Sequence, residues 1–205
     1  MAKLPCQQAI KTKVCLRSAK SFFRLKKSIK KLSDEARLLR FLSGEGPDDH
    51  GHFIFDYWRM NFWKMEHCHN YIQWMFPTTQ RSEYNPRCPI INDKFSYLAE
   101  QDTIAYAVAR SNILTSFTVY LRFLGYHYGK QCISEGENFA ERSKNWLYPG
   151  NHNHLRITRV LCCLHLFGLD KQAKAFFRAL TDTFAKYPGR ITTESYMFWE
   201  NAANS

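Results

Sequence analysis

The sequence predicts an all-α fold: a compact helical bundle or array of helix hairpins, with a basic amphipathic helix at the N-terminus. Three observations carry this expectation. Apolar residues recur at helical spacing through most of the chain. Capping residues stand ahead of these runs and Gly or Pro behind them. No strand-length alternation and no internal repeat stands out. With 205 residues, 45% hydrophobic and 16% aromatic, the chain can bury a sizeable core and is not a disordered composition.

The charge is uneven. Of 29 Lys and Arg, ten lie in residues 1–33, which hold no Asp or Glu; the remainder carries 19 basic against 18 acidic residues. The net charge of +11 therefore belongs to a tail, and nucleic-acid binding cannot be argued from the body. Lys13, Arg17, Lys20, Arg24, Lys27 and Lys31 form one continuous helical stripe, and Cys15, Phe22, Leu25, Ile29 and Leu32 a second, apolar one. Such a helix over 13–32 suits an anionic membrane surface, nucleic acid, a partner's groove or an organelle-targeting role. It suits equally well an apolar face packed on the body with lysines in water. Two regions follow: a basic extension over 1–33 and a single helical domain over 34–205.

In the body, Ser33 is a helix cap with Asp34 and Glu35 in the first turn; Leu38, Leu39, Phe41 and Leu42 face inward, and Gly44 stops the helix. A polar loop follows. The aromatic stretch 53–76 predicts two short helices meeting near Glu66–Asn70, the second ended by Pro77. Residues 77–92, with three prolines, read as a loop. From a cap at Asn92 or Asp93 one helical pattern runs to Phe123, with Ile104, Val108, Ile113, Leu114, Phe117, Leu121 and Leu124 in the core and Gly125 and Gly129 ending it. A weak helix covers Asn138–Trp146, and two more cover Lys171–Lys186 and Thr192–Asn201.

Residues 151–168 form the most sharply marked helix. Asn151 or Asn153 caps it, Gly168 ends it, and Leu155, Ile157, Val160, Leu161, Leu164 and Phe167 face a core. Arg156 and Arg159 break the pattern. They share a face in the first turns, where the helix dipole disfavours cations. They require a compensating anionic group: a carboxylate elsewhere in the chain, making an internal ion pair, or a bound ligand.

No reaction is legible. The chain has no Gly-x-Ser-x-Gly elbow and no Gly-rich phosphate loop. The histidines fall in His-x-His pairs at His50 and His52, His67 and His69, and His152 and His154. On a helix that spacing parts two rings by about 200°, so no metal site and no cofactor are expected. The seven cysteines form no Cys-x-x-Cys pair and are expected as reduced, largely buried thiols. The first residues lack the apolar core of a secretory signal, and no run is long enough to span a membrane. The expected setting is intracellular, cytoplasmic or nuclear, with peripheral membrane association as an alternative.

Three segments together resemble the conserved region of the opioid growth factor receptor family. His69-Asn70-Tyr71-Ile72-Gln73-Trp74-Met75-Phe76-Pro77 is similar to that family's His-x-Tyr-Ile-Gln-Trp-Leu-Phe-Pro. Asn151 through Leu161, followed by Gly168 and Leu169, resembles its His-Asn-x-Leu-Arg-Ile-Thr-Arg-Ile-Leu. Ser195-Tyr196-Met197-Phe198-Trp199 resembles its Asp-Tyr-Phe-Met-Phe, and the likeness covers roughly residues 40–201. The resemblance implies a protein unrelated to seven-helix opioid receptors. Vertebrate members are described as receptors for the peptide Met-enkephalin that act at the nucleus.

The resulting expectation is a non-enzymatic domain that binds a peptide, an anionic ligand or a protein partner. Its candidate ligand-binding residues are His69, Gln73, Trp74, Asn151, His152, Asn153, Arg156 and Arg159. The arginines would hold an anionic group while Trp74 stacks or packs against it. The alternative is an adaptor for nucleic acid or anionic membrane working through the basic helix. A third reading is an enzyme built on the same Arg/His cluster.

Overall fold

The computed structural model describes residues 32–130 and 132–204. The basic stripe from Lys13 to Lys31 lies outside the described residues. From Ser33 onward the chain forms one compact unit. In chain order its elements are α1 (Asp34–Leu42), α2 (Ile54–Trp58), α3 (Phe62–His67), α4 (Tyr71–Met75), α5 (Asp93–Gln101), α6 (Thr103–Leu124), β1 (Tyr126–Gly129), β2 (Cys132–Glu135), α7 (Phe139–Arg142), a 3-10 turn (Ser143–Asn145), α8 (His152–Leu166), α9 (Asp170–Lys186) and α10 (Thr193–Asn204). The predicted helical class holds.

Helix α6 is the spine. Its 22 residues span about 33 Å at 1.5 Å per residue. Ala109, Ile113, Phe117, Tyr120, Leu121 and Leu124 are wholly or almost wholly buried along it. Helix α1 packs against α6 and α5, and α8, α9 and α10 pack on one another. The helix ends follow capping chemistry: Ser33 Oγ accepts from Ala36 N, and Asn151 Oδ1 accepts from Asn153 N at 2.8 Å. Gly125, at φ +95°, closes α6 in the left-handed conformation. A Cβ there would lie 2.8 Å from Phe139 Cα, so glycine is required twice over.

The structure corrects several sequence expectations. The run from 93 to 123 is two helices, because Asp102 Oδ1 accepts from Ala105 N and starts a new one. The aromatic stretch holds three short helices, not two. An antiparallel hairpin pairs Tyr126 with Glu135 and Gly129 with Cys132, in a region with no predicted strand. It buries only Tyr126 and Ile133, too few for an alternation to show. Leu155, Ile104 and Val108 were expected in the core but are 61%, 78% and 41% exposed. Their helices bury a neighbouring stripe instead.

The five described cysteines, Cys68, Cys88, Cys132, Cys162 and Cys163, are free thiols. Burial pushes the Cys88 thiol up to about 12 and raises Cys163 as well, so neither is a ready nucleophile. No helix among the described residues is long and apolar enough to cross a membrane.

Candidate functional site

The site begins with two helices too short to satisfy their own ends. Helices α3 and α4 have six and five residues, so their last carbonyls lack intrahelical donors. Helix α8 supplies those donors. Arg156 Nη1 donates to Met65 O at 3.0 Å and to Asn153 Oδ1 at 3.0 Å. Its Nη2 donates to Cys68 O at 3.0 Å, to Glu66 O at 3.4 Å and to His69 Nδ1 at 3.1 Å. The guanidinium lies 5.6 Å from the Tyr71 ring centroid. Arg159 does the same for α4, with Nη1 donating to Phe76 O at 3.3 Å and to Thr78 Oγ1 at 3.2 Å.

This accounts for two cations in the first turns of a helix. They complement the negative C-terminal ends of two other helices. The compensating group is a set of backbone carbonyls, not the carboxylate or bound anion the sequence left open. Among the described residues no carboxylate pairs with either arginine.

A polar surface is mounted on this clamp. The wholly buried Asn153 donates to Glu66 Oε2 at 3.1 Å and to Oε1 at 3.4 Å. Asn151, the cap, also donates to Asn145 O at 3.0 Å. His152 Nε2 lies 3.2 Å from Glu66 Oε1, but without hydrogen-bond geometry, and it has no other partner. Partial burial, aided by the Arg156 charge and opposed by Glu66, lowers the His152 pKa, so the ring is neutral at neutral pH. His69 accepts from Arg156 through Nδ1, which puts its proton on Nε2. The His69 and His152 rings meet edge to face at 5.7 Å, and His69 stacks on exposed Tyr84 at 6.3 Å. Trp63, 67% exposed, stacks on His67 at 4.4 Å.

The structure thus brings together His69, Asn151, His152, Asn153 and Arg156. It places Gln73 and Trp74 elsewhere. Buried Gln73 donates to Ser82 Oγ at 3.1 Å, and its Oε1 has no partner. Trp74 is fully buried against Phe41 at 5.0 Å, with Arg37 5.6 Å from its ring centroid and Nε1 unpartnered. Tyr71, not Trp74, lies against Arg156. Arg159 serves the far end of α4.

Sequence reasoning missed Glu66 and Tyr71. Nothing in the spacing of Glu66 marks it, whereas Tyr71 stood inside the first family-like segment. It also missed a second network on the opposite side of α8. His154 Nε2 donates to Trp146 O at 3.0 Å, and Ser195 Oγ donates to its Nδ1 at 3.1 Å. Trp199 Nε1 donates to His154 O at 3.0 Å, so this network ties α10 to α8. The 200° separation read from His-x-His spacing is realised here: His152 faces Glu66 and His154 faces α10. Among the described residues no group of three or more His, Cys, Asp or Glu is placed to hold a metal ion.

Among the hollows that indent the described residues are one of about 380 Å³ beside Tyr97 and Leu98 and one of about 340 Å³ beside Phe95 and Phe167. Neither is lined by any of the eight predicted residues.

The fold and clamp define a class: a helical domain in which one helix, through its first turns, holds two short aromatic helices in place. The chain belongs to the family described as the opioid growth factor receptor (OGFr) conserved region, which it matches over residues 37–197. It is 30% identical to the rat opioid growth factor receptor over 57% of this chain and 20% of that protein. It is 28% identical to mouse opioid growth factor receptor-like protein 1, over 57% of this chain and 24% of that one. The human opioid growth factor receptor is 28% identical, over 57% and 17%. The chain therefore spans about a fifth of the length of these relatives. No solved structure matches it.

Proposed function

We propose that this chain is a non-enzymatic binding domain that takes a peptide or a segment of a protein partner on the His69–His152 surface. The observation that supports this is the division of labour around Arg156. The guanidinium and Asn153 are buried and engaged by the fold. The imidazoles of His69 and His152, the Glu66 carboxylate and the Tyr84 ring remain at the surface on a rigid mount. Arg156 and Arg159 then act as positioning residues. The relatives' printed names, receptors for an opioid growth factor, favour a peptide over a small anion. On this reading the domain works inside the cell, in cytoplasm or nucleus.

Calorimetric titration of the full chain with Met-enkephalin tests the proposal. Saturable binding is expected, weakened about tenfold, roughly 1.4 kcal/mol, by His69→Ala or His152→Ala while the chain stays folded. No binding, or binding indifferent to both changes, overturns it.

A second reading rests on one sequence observation, the ten basic and no acidic residues of 1–33. The extension would dock on nucleic acid or anionic membrane. It predicts affinity that falls steeply with salt and vanishes when residues 1–33 are removed. Affinity that survives the truncation refutes it.

A further inference from the structure

A serine and a histidine meet where α10 closes on α8. Ser195 Oγ donates to His154 Nδ1 at 3.1 Å, and His154 Nε2 donates to Trp146 O at 3.0 Å. Thr192 Oγ1 donates to Ser195 Oγ at 2.9 Å and accepts from Ser195 N at 3.1 Å. These bonds set the direction of each proton. The Thr192 hydroxyl occupies one lone pair of Ser195 Oγ, so the serine proton points at the imidazole. The Trp146 carbonyl keeps the imidazole proton on Nε2, so Nδ1 turns its lone pair to the serine. A nucleophile, a base and a third group that orients the base therefore stand in sequence.

The surroundings suit the same use. His154 is buried, and its ring meets the Trp199 ring edge to face at 5.2 Å. Burial lowers its pKa, against the Trp146 hydrogen bond and with the charge of His152, so the imidazole is a neutral base at neutral pH. Ser195 is only half-buried and follows the exposed Thr193 and Glu194, which puts it at the edge of the network. It is the third residue of α10. Negative charge developing on an acyl oxygen under attack there meets the positive end of a helix.

We propose that Ser195 is a base-activated nucleophile that takes an acyl group from an activated ester. Ser195 Oγ bonds to the acyl carbon, and the bond from that carbon to the leaving oxygen breaks. The serine proton passes to His154 Nδ1 and from there to the leaving oxygen. The products are an ester on Ser195 and a free alcohol. The step is stoichiometric and adds a covalent capture to the binding domain. Its residues are separate from the His69–His152 surface, so it stands or falls apart from the peptide-binding reading.

The probe is a biotinylated fluorophosphonate, in which phosphorus stands for the acyl carbon and fluoride for the leaving group. The full chain is incubated with it at neutral pH, and the adduct is located by peptide mass spectrometry. One adduct is expected, on Ser195, and p-nitrophenyl acetate should acetylate the same residue. His154→Gln supplies an amide that can keep both hydrogen bonds but takes no proton at neutral pH. It should slow labelling about a hundredfold or more. His69→Ala should change nothing. Should His154→Gln alter the melting curve, the folded wild-type chain is compared with itself in urea, where labelling of Ser195 should vanish. No adduct on Ser195, an adduct formed as fast in urea, or labelling of folded His154→Gln at the wild-type rate overturns the proposal and leaves the network as a tie between α8 and α10.

Discussion

At the residue scale, Arg156 decides most. Its guanidinium reaches three carbonyls, an amide oxygen and an imidazole, and no single smaller group can replace all five contacts. Arg156→Ala leaves carbonyls of Met65, Glu66 and Cys68 without that donor, each costing on the order of 1–3 kcal/mol when buried and unpaired. A loss of roughly 3 kcal/mol or more is expected in urea denaturation. Arg156→Lys should recover little of it, because an ammonium lacks the planar fork. An unchanged midpoint in the alanine variant would refute the clamp. The histidines set a pH dependence. Burial lowers the pKa of both His152 and His154 below the ordinary 6.5. On acidification the unfolded chain binds protons first, so this stability is complete above about pH 6.5 and is lost as pH falls towards the folded-state pKa. The melting temperature should drop from about pH 7 to about pH 5, and His154→Gln should flatten the slope. The motif letters of Arg156 and Arg159 were legible in the sequence, and their misfit with the helix dipole was a true signal. Their partners were not legible, since a carbonyl belongs to every residue and marks none.

At the element scale, caps and stops were the readable part. Ser33, Asn151, Gly125 and Gly168 act where local chemistry places them, because capping involves only residues a few positions apart. The Asp102 cap was overlooked because apolar residues continue on both sides of it. Helical periodicity shows that a stripe exists, but neighbouring stripes compete for the core, and tertiary packing chose against Leu155. Two substitutions on α8 make the contrast measurable. Leu161→Ala, at a wholly buried position, should cost about 2–5 kcal/mol, whereas Leu155→Gln should stay within about 0.5 kcal/mol. Equal costs would place the stripe wrongly. Gly125→Ala should also destabilise by more than about 1 kcal/mol, since it meets both a positive φ and a backbone atom 2.8 Å away.

At the scale of the whole molecule, the described body is closed by its last helix. Trp199 is fully buried, and its indole donates across to His154 O. Ending the chain before Thr193 should therefore release ordered tertiary packing while leaving helix content, seen as loss of near-ultraviolet circular dichroism. Retention of that signal would show α10 to be an accessory. The Arg156 clamp also carries a consequence for synthesis. Its contacts join positions 87 to 91 residues apart in the chain. A growing polypeptide that has emerged only through its first two thirds holds the aromatic segment 54–76 with no guanidinium to fasten it. Such non-local closure is slow, and the rings stay open to chaperones and proteases meanwhile. The ribosome must deliver α8 before the aromatic segment acquires its native lock.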